Sequence, residues 1–148
     1  MEPTAGAYVG REHRLPVRVY YEDTDFTGLV YHASYLRFFE RGRTDALRVA
    51  GVGHADLLAR ADPCAFAVTR IAVDFRSAAR IDEALEVHTW FEAINGPRLV
   101  IRQEITRDGA LIAAAEVEAA CIWPGGGARR PPPEMREKLT PYLAPAPT

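Results

Sequence analysis

The densest polar chemistry in the chain is Tyr20-Tyr21-Glu22-Asp23-Thr24-Asp25, followed by Gly28 and His32. Carboxylates and imidazoles are the side chains that most often move protons or attack electrophiles near neutral pH. The residues around them tell which electrophile would suit. A helical pattern starts at His32, and the first N–H groups of a helix have no partner within it and carry partial positive charge. Such an end can hold an anion or a developing oxyanion. Gly28 lets the chain turn tightly and brings backbone close to a ligand. A carboxylate seven residues ahead of the helix can flank a carbonyl from one side while the N–H groups flank it from the other. That is the geometry of acyl transfer. On spacing alone the same residues also suit turns and helix caps, and Asp23 in particular reads as a turn residue or as partner to a nearby arginine. A metal site of Asp23, Asp25 and His32 would lack a clear fourth ligand, so none is expected.

The elements that must position this cluster follow from pattern. Leu15–Tyr21 alternates and is rich in Val and Tyr, which predicts a strand. Apolar or small residues at Tyr35, Phe38, Phe39, Gly42, Ala46 and Val49 recur at helical spacing, ended by Gly51 and Gly53. Gly42 stands mid-helix on the apolar side, where a glycine costs about 1 kcal/mol against alanine, so it implies a close approach to another backbone. A shorter helix is expected over His54–Arg60. After Pro63 the pattern turns to strands: Ala65–Arg76, Leu85–Ile94, Arg98–Thr106 and Ala110–Trp123. Asn95-Gly96 and Arg107-Asp108-Gly109 are turn signals, so the last three strands form an antiparallel meander. Met1–Arg14 reads as a loose leader. Residues 124–148 read as a loosely attached tail, with a short helix over Glu134–Leu143. The chain is expected to be one α+β domain, 1–148, with a long helix on one face of an antiparallel sheet. One helix covers little of a long sheet, so a second copy should bury the rest.

Composition narrows the function classes. The formal charge is −2, without the basic excess of a nucleic-acid binder. Cys64 and Cys121 have no CxxC partner, so two reduced thiols are expected rather than a zinc site or a disulfide. The first fifteen residues hold no apolar stretch, and no window approaches the roughly 20 apolar residues of a membrane span. A cytoplasmic protein is the expectation.

Val17–Arg48, VRVYYEDTDFTGLVYHASYLRFFERGRTDALR, resembles the start of hotdog-fold thioesterases of the YbgC type, relatives of 4-hydroxybenzoyl-CoA thioesterase. The shared pattern is Asp-x-Asp-x-x-Gly-x-Val-Tyr-His-x-x-Tyr, then Phe-x-Glu-x-x-Arg. The resemblance implies a long helix wrapped by a curved antiparallel sheet, and a homodimer or homotetramer with active sites at the subunit interface. It implies hydrolysis of acyl-CoA, or of an acyl carrier protein thioester, without metal or redox cofactor. It places the catalytic carboxylate on Asp25 and the family's histidine on His32, with Gly28 and Tyr35 beside the substrate. Phe26-Thr27 departs from the small residues common after the aspartate, which bears on acyl preference. Two other readings stand beside this one. A non-catalytic acyl-binding or scaffold protein would share the fold, and a hydratase would need an Asp-x-x-x-x-His pairing that is missing after Asp62.

Overall fold

A computed structural model describes residues 1–146. Six strands form one antiparallel sheet: β1 (Ala7–Val9), β2 (Glu12–Arg18), β3 (Ala65–Phe75), β4 (Ala84–Asn95), β5 (Arg98–Arg107) and β6 (Ala110–Ile122), in the order β1-β2-β4-β5-β6-β3. Helix α1 (His32–Val49) crosses one face, followed by the short α2 (His54–Leu58), and α3 (Pro133–Leu139) closes the chain. This is the α+β arrangement that the alternation and the single long helical pattern require. The β4–β5–β6 meander turns at Gly96, and at Asp108-Gly109, both of which have positive φ.

Alternate residues of the meander point inward. Leu85, Val87, Phe91, Leu99, Ile101, Ile105, Ala113, Ala115 and Val117 are buried under α1. The helix answers with Tyr35, Phe38, Phe39, Ala46 and Leu47. Between them lies a polar knot that the sequence did not announce. Buried Gln103 donates from Nε2 to the Phe39 carbonyl and to Thr89 Oγ1, both at 2.9 Å, and its Oε1 accepts from Arg43 at 3.0 Å. An amide with so many partners under a helix fixes its height and rotation. His88 faces the opposite way from Val87, between Glu12 and Thr106 on the outer face.

The two termini are packed more firmly than the sequence reading held. The leader is paired into the sheet from Ala7 onward. Ala7–Val9 pairs with Glu12–Arg14 of β2 through a turn at Gly10, and His13 and Leu15 are buried. Charge interleaved with the apolar residues hid a half-buried edge hairpin. The strand read as Leu15–Tyr21 instead ends at Arg18, because Tyr21–Asp23 tightens into a 3₁₀ turn. The tail is also anchored. Met135 and Leu139 are core residues, and Arg129 donates to the Asp62 and Pro63 carbonyls at 2.7 and 3.1 Å. The Ala144 N–H reaches the Phe91 carbonyl at 2.8 Å. The short helix expected over Glu134–Leu143 forms over Pro133–Leu139, and its apolar residues dock on the core.

The N-terminal hairpin is held to α1 by an enclosed pair. His13 Nε2 lies 2.8 Å from Asp45 Oδ2, and that oxygen also accepts the Gly6 N–H at 2.8 Å. The Tyr8 ring stands edge-on to His13. Burial pushes the His13 imidazole below its ordinary 6.5, against the opposing pull of Asp45. A protonated ring would carry an N–H at buried Nδ1, which has no acceptor among the described residues. The unfolded chain therefore binds the proton more readily than the folded one. The stability gained from neutral His13 is complete above about pH 6.5 and is lost as pH falls through the folded value. Urea unfolding from pH 7.5 to pH 5 should show this loss, and His13→Gln should show a shallower one. Equal slopes in both proteins would count against this assignment.

Candidate active site

Asp23 and Asp25 behave differently although they are two residues apart. Asp23 turns inward, where it is 2% exposed and accepts the Tyr20 N–H at 2.8 Å. Its carbonyl accepts the Tyr31 N–H at 2.9 Å. It is the turn residue that ties the end of β2 to the start of α1, and no arginine pairs with it among the described residues. The Asp23–Asp25–His32 trio therefore does not converge.

Asp25 faces out on a small, tightly bonded loop. Thr24 and Val30 form an antiparallel bridge. Within that bridge the Asp25 N–H donates to the Leu29 carbonyl at 3.0 Å, and the Gly28 N–H to the Asp25 carbonyl at 3.0 Å. Gly28 has φ +82°, the left-handed conformation that glycine adopts without strain. The loop is moored to the β3–β4 connection by the Val30 N–H on the Ala79 carbonyl at 2.9 Å. The carboxylate itself is fixed at one oxygen. Oδ1 accepts the Thr27 N–H at 2.8 Å and the Thr27 hydroxyl at 2.5 Å. The Thr27 hydroxyl, foremost, holds the Asp25 carboxyl below its ordinary range, so it is ionised at neutral pH. Oδ2 accepts no hydrogen bond among the described residues.

Helix α1 begins three residues after Leu29. Tyr31 occupies its N-cap in an extended conformation with no side-chain capping bond, and the first turn holds no acidic residue. The Ser34 N–H is taken by the Tyr31 carbonyl at 2.8 Å. The earlier N–H groups of His32 and Ala33 are left without a capping side chain at the positive end of an 18-residue helix. The His32 ring is exposed and leans on Tyr31, with centroids 4.4 Å apart. Tyr35 sits differently from the other three residues singled out in the sequence. It is 3% exposed, its hydroxyl accepts the Ala79 N–H at 3.0 Å, and its ring packs on Phe75. It braces the loop from behind. Thr27 is the residue that sequence reasoning passed over. Its signal was a hydroxyl two places after an aspartate, a spacing at which side chains commonly bond across a turn.

Among the described residues no wall covers Asp25, which is exposed. A groove of about 500 Å³ between α1 and β2 reaches Tyr20, Glu22 and Asp23 and does not include Asp25. A smaller cavity of about 110 Å³ lies under α1 and α2, lined by Leu47, Phe66, Val68 and Ile101 with Glu40, Thr44 and His54. Among the described residues no helix is long and apolar enough to cross a membrane.

One long helix laid on a six-stranded antiparallel sheet defines a hotdog-fold protein. Residues 19–139 match the family model of the thioesterase-like superfamily. The chain belongs to that superfamily, in its YbgC-type branch. It is 42% identical to an acyl-CoA thioesterase YbgC of Haemophilus influenzae over 73% of this chain and 79% of the relative. It is 43% identical to an acyl-CoA thioester hydrolase YbgC of Escherichia coli over 75% and 82%. The solved structure of a probable thioesterase from Bartonella henselae superposes with a TM-score of 0.79 at 37% identity, covering 82% of this chain and 99% of that one.

Proposed function

We propose that this acyl-CoA thioesterase uses Asp25 as its catalytic carboxylate and the N-terminus of α1 to polarise the thioester carbonyl. The observation that carries the reading is the pairing of a carboxylate held by one oxygen with an uncapped helix end a few residues away. The carbonyl oxygen docks on the N–H of His32, where negative charge develops as the carbon becomes tetrahedral. Asp25 Oδ2 either attacks that carbon or takes a proton from the attacking water. Collapse breaks the C–S bond and expels a thiolate, a leaving group that needs no strong general acid; the water route leaves the free acid at once, and the direct attack leaves an Asp25 anhydride that a water molecule then hydrolyses to the acid. Exposed His32 and Gly28 border the approach of the acyl group. A carrier-protein arm would present the same thioester. The buried free thiols Cys64 and Cys121 suit a reducing cytoplasm.

The missing wall is a second copy. Among the described residues β3 pairs only with β6, and it carries Val68 and Phe75, both 50% exposed, and Ile71, 36% exposed. An open apolar strand edge is a template for pairing. Antiparallel pairing of two β3 strands about a two-fold axis reverses their ends. The Phe75 end, next to Tyr35 and the Asp25 loop, then meets the Phe66–Val68 end of the partner and its small cavity. Each Asp25 would be closed over by the other subunit.

The test is release of free thiol from a panel of acyl-CoA esters of graded chain length. Turnover that depends on chain length supports the reading. Tight binding of the esters with no thiol released from any would sink it and leave an acyl-binding module on the same fold.

A further inference from the structure

We infer that Thr27 is a positioning residue for Asp25, holding Oδ1 with both its hydroxyl and its N–H so that Oδ2 alone is presented to substrate. The inference rests on the proposed role of Asp25 and adds how that carboxylate is aimed. An exposed aspartate rotates freely about χ2, which exchanges its two oxygens. Here that exchange would break two hydrogen bonds at once, at 2.8 and 2.5 Å. The donor is itself fixed, because Thr27 lies inside the Thr24–Val30 bridge and is followed by Gly28, whose N–H returns to the Asp25 carbonyl at 3.0 Å. Two donors on Oδ1 make it the poorer base and nucleophile, so reaction falls to Oδ2.

The carboxylate is not set by ion pairs. The titratable groups on the surrounding elements are Tyr21, Glu22 and Asp23 on the preceding turn, Tyr31 and His32 at the helix start, and Arg80 on the loop bridged to Leu29. None makes a hydrogen bond or salt bridge to Asp25 among the described residues. Thr27 is thus the main influence on its protonation, and hydrogen bonds to the charged form favour that form. Removing the hydroxyl lets the Asp25 carboxyl rise toward its ordinary range.

Two variants separate aim from architecture. Thr27→Ala removes the hydroxyl and keeps the N–H bond, whereas Thr27→Ser restores the hydroxyl. In Thr27→Ala the acid limb of the kcat/KM profile should move to higher pH, and the plateau should drop by about tenfold, the scale of a small misplacement of a reacting group. Thr27→Ser should follow the parent on both counts. Carbon-13 NMR titration of the Asp25 carboxyl reads the same shift without substrate. Its failure is thereby distinct from failure of the thioesterase reading, which shows as no thiol release from the parent enzyme. An unmoved limb and titration in Thr27→Ala would overturn the inference, as would equal displacement in Thr27→Ser, which would make Thr27 only a turn former.

Discussion

Replacing Asp25 by asparagine should lower kcat/KM by roughly 10²–10⁴-fold, the range general-base contributions span, while leaving the unfolding midpoint unchanged. The substitution suits the site. Asparagine keeps a carbonyl oxygen that can occupy the Oδ1 position and accept both Thr27 donors. The turn, its bridge to Val30 and the start of α1 then stay in place. What changes is the other position, where an NH₂ group replaces Oδ2 and can neither attack a carbonyl nor accept a proton from water. A loss of this size, about 3–5 kcal/mol of transition-state stabilisation, with KM little altered, would mark Asp25 as acting in the chemical step. Because the side chain is exposed, lost stability cannot stand in for lost chemistry. Turnover surviving at the parent rate would remove Asp25 from its role and leave the helix end without a reacting partner.

Much of this architecture was legible in the residues, and the physical reason differs from place to place. The long helix was read from His32 because its apolar stripe and the glycines after Val49 are local signals. The meander was read from two turns whose residues tolerate positive φ. What escaped was whatever depends on contacts distant in sequence. His13 gains its partner only from Asp45, thirty-two residues on. Gln103 sits on a strand that reads as ordinary alternation, and only the helix above gives its amide a purpose. Met135 and Leu139 lie in the short helix expected near the end, but their docking on the core depends on residues far away in sequence. The site divides in the same way. Asp25, Gly28 and His32 form one local loop and helix start, so motif spacing brought them together. The inward turn of Tyr35 depends on Ala79, forty-four residues away. The proposed wall facing Asp25 comes from a second copy, and nothing in the spacing of one sequence marks where that copy would sit.

Gly42 is the point where fold and site can be disturbed together. A Cβ there would lie 2.6 Å from Val87 Cγ1, 3.0 Å from Thr89 Oγ1 and 3.1 Å from Gln103 Nε2. The first distance is shorter than real contacts allow, and Val87 has no room to yield. It is fully buried on β4 at the centre of the sheet, and its branched Cβ restricts rotation. The other two atoms belong to the knot that sets the height of α1. In an exposed helix Gly→Ala stabilises by about 1 kcal/mol. Here overpacking of about 1–3 kcal/mol, together with strained bonds at Gln103 worth about 0.5–1.5 kcal/mol each, should outweigh that gain. Gly42→Ala is expected to lower stability by about 1–2 kcal/mol, and Gly42→Val by more than 3 kcal/mol, read from denaturant midpoints. Activity should fall as well in the alanine variant under conditions where it remains folded. A helix lifted from β4 at its middle carries its N-terminus, and hence the carbonyl docking point, away from the Asp25 loop. Coupling provides the sharper measurement. Val87→Ala alone opens a cavity and costs stability, but in the double variant the new methyl finds the space that Val87 vacated. The two substitutions should therefore cost at least 1 kcal/mol less together than the sum of their separate effects, within the range for contacting residues. Strict additivity, or a Gly42→Ala protein more stable than the parent, would show that α1 does not rest on Val87 and that its height is set elsewhere.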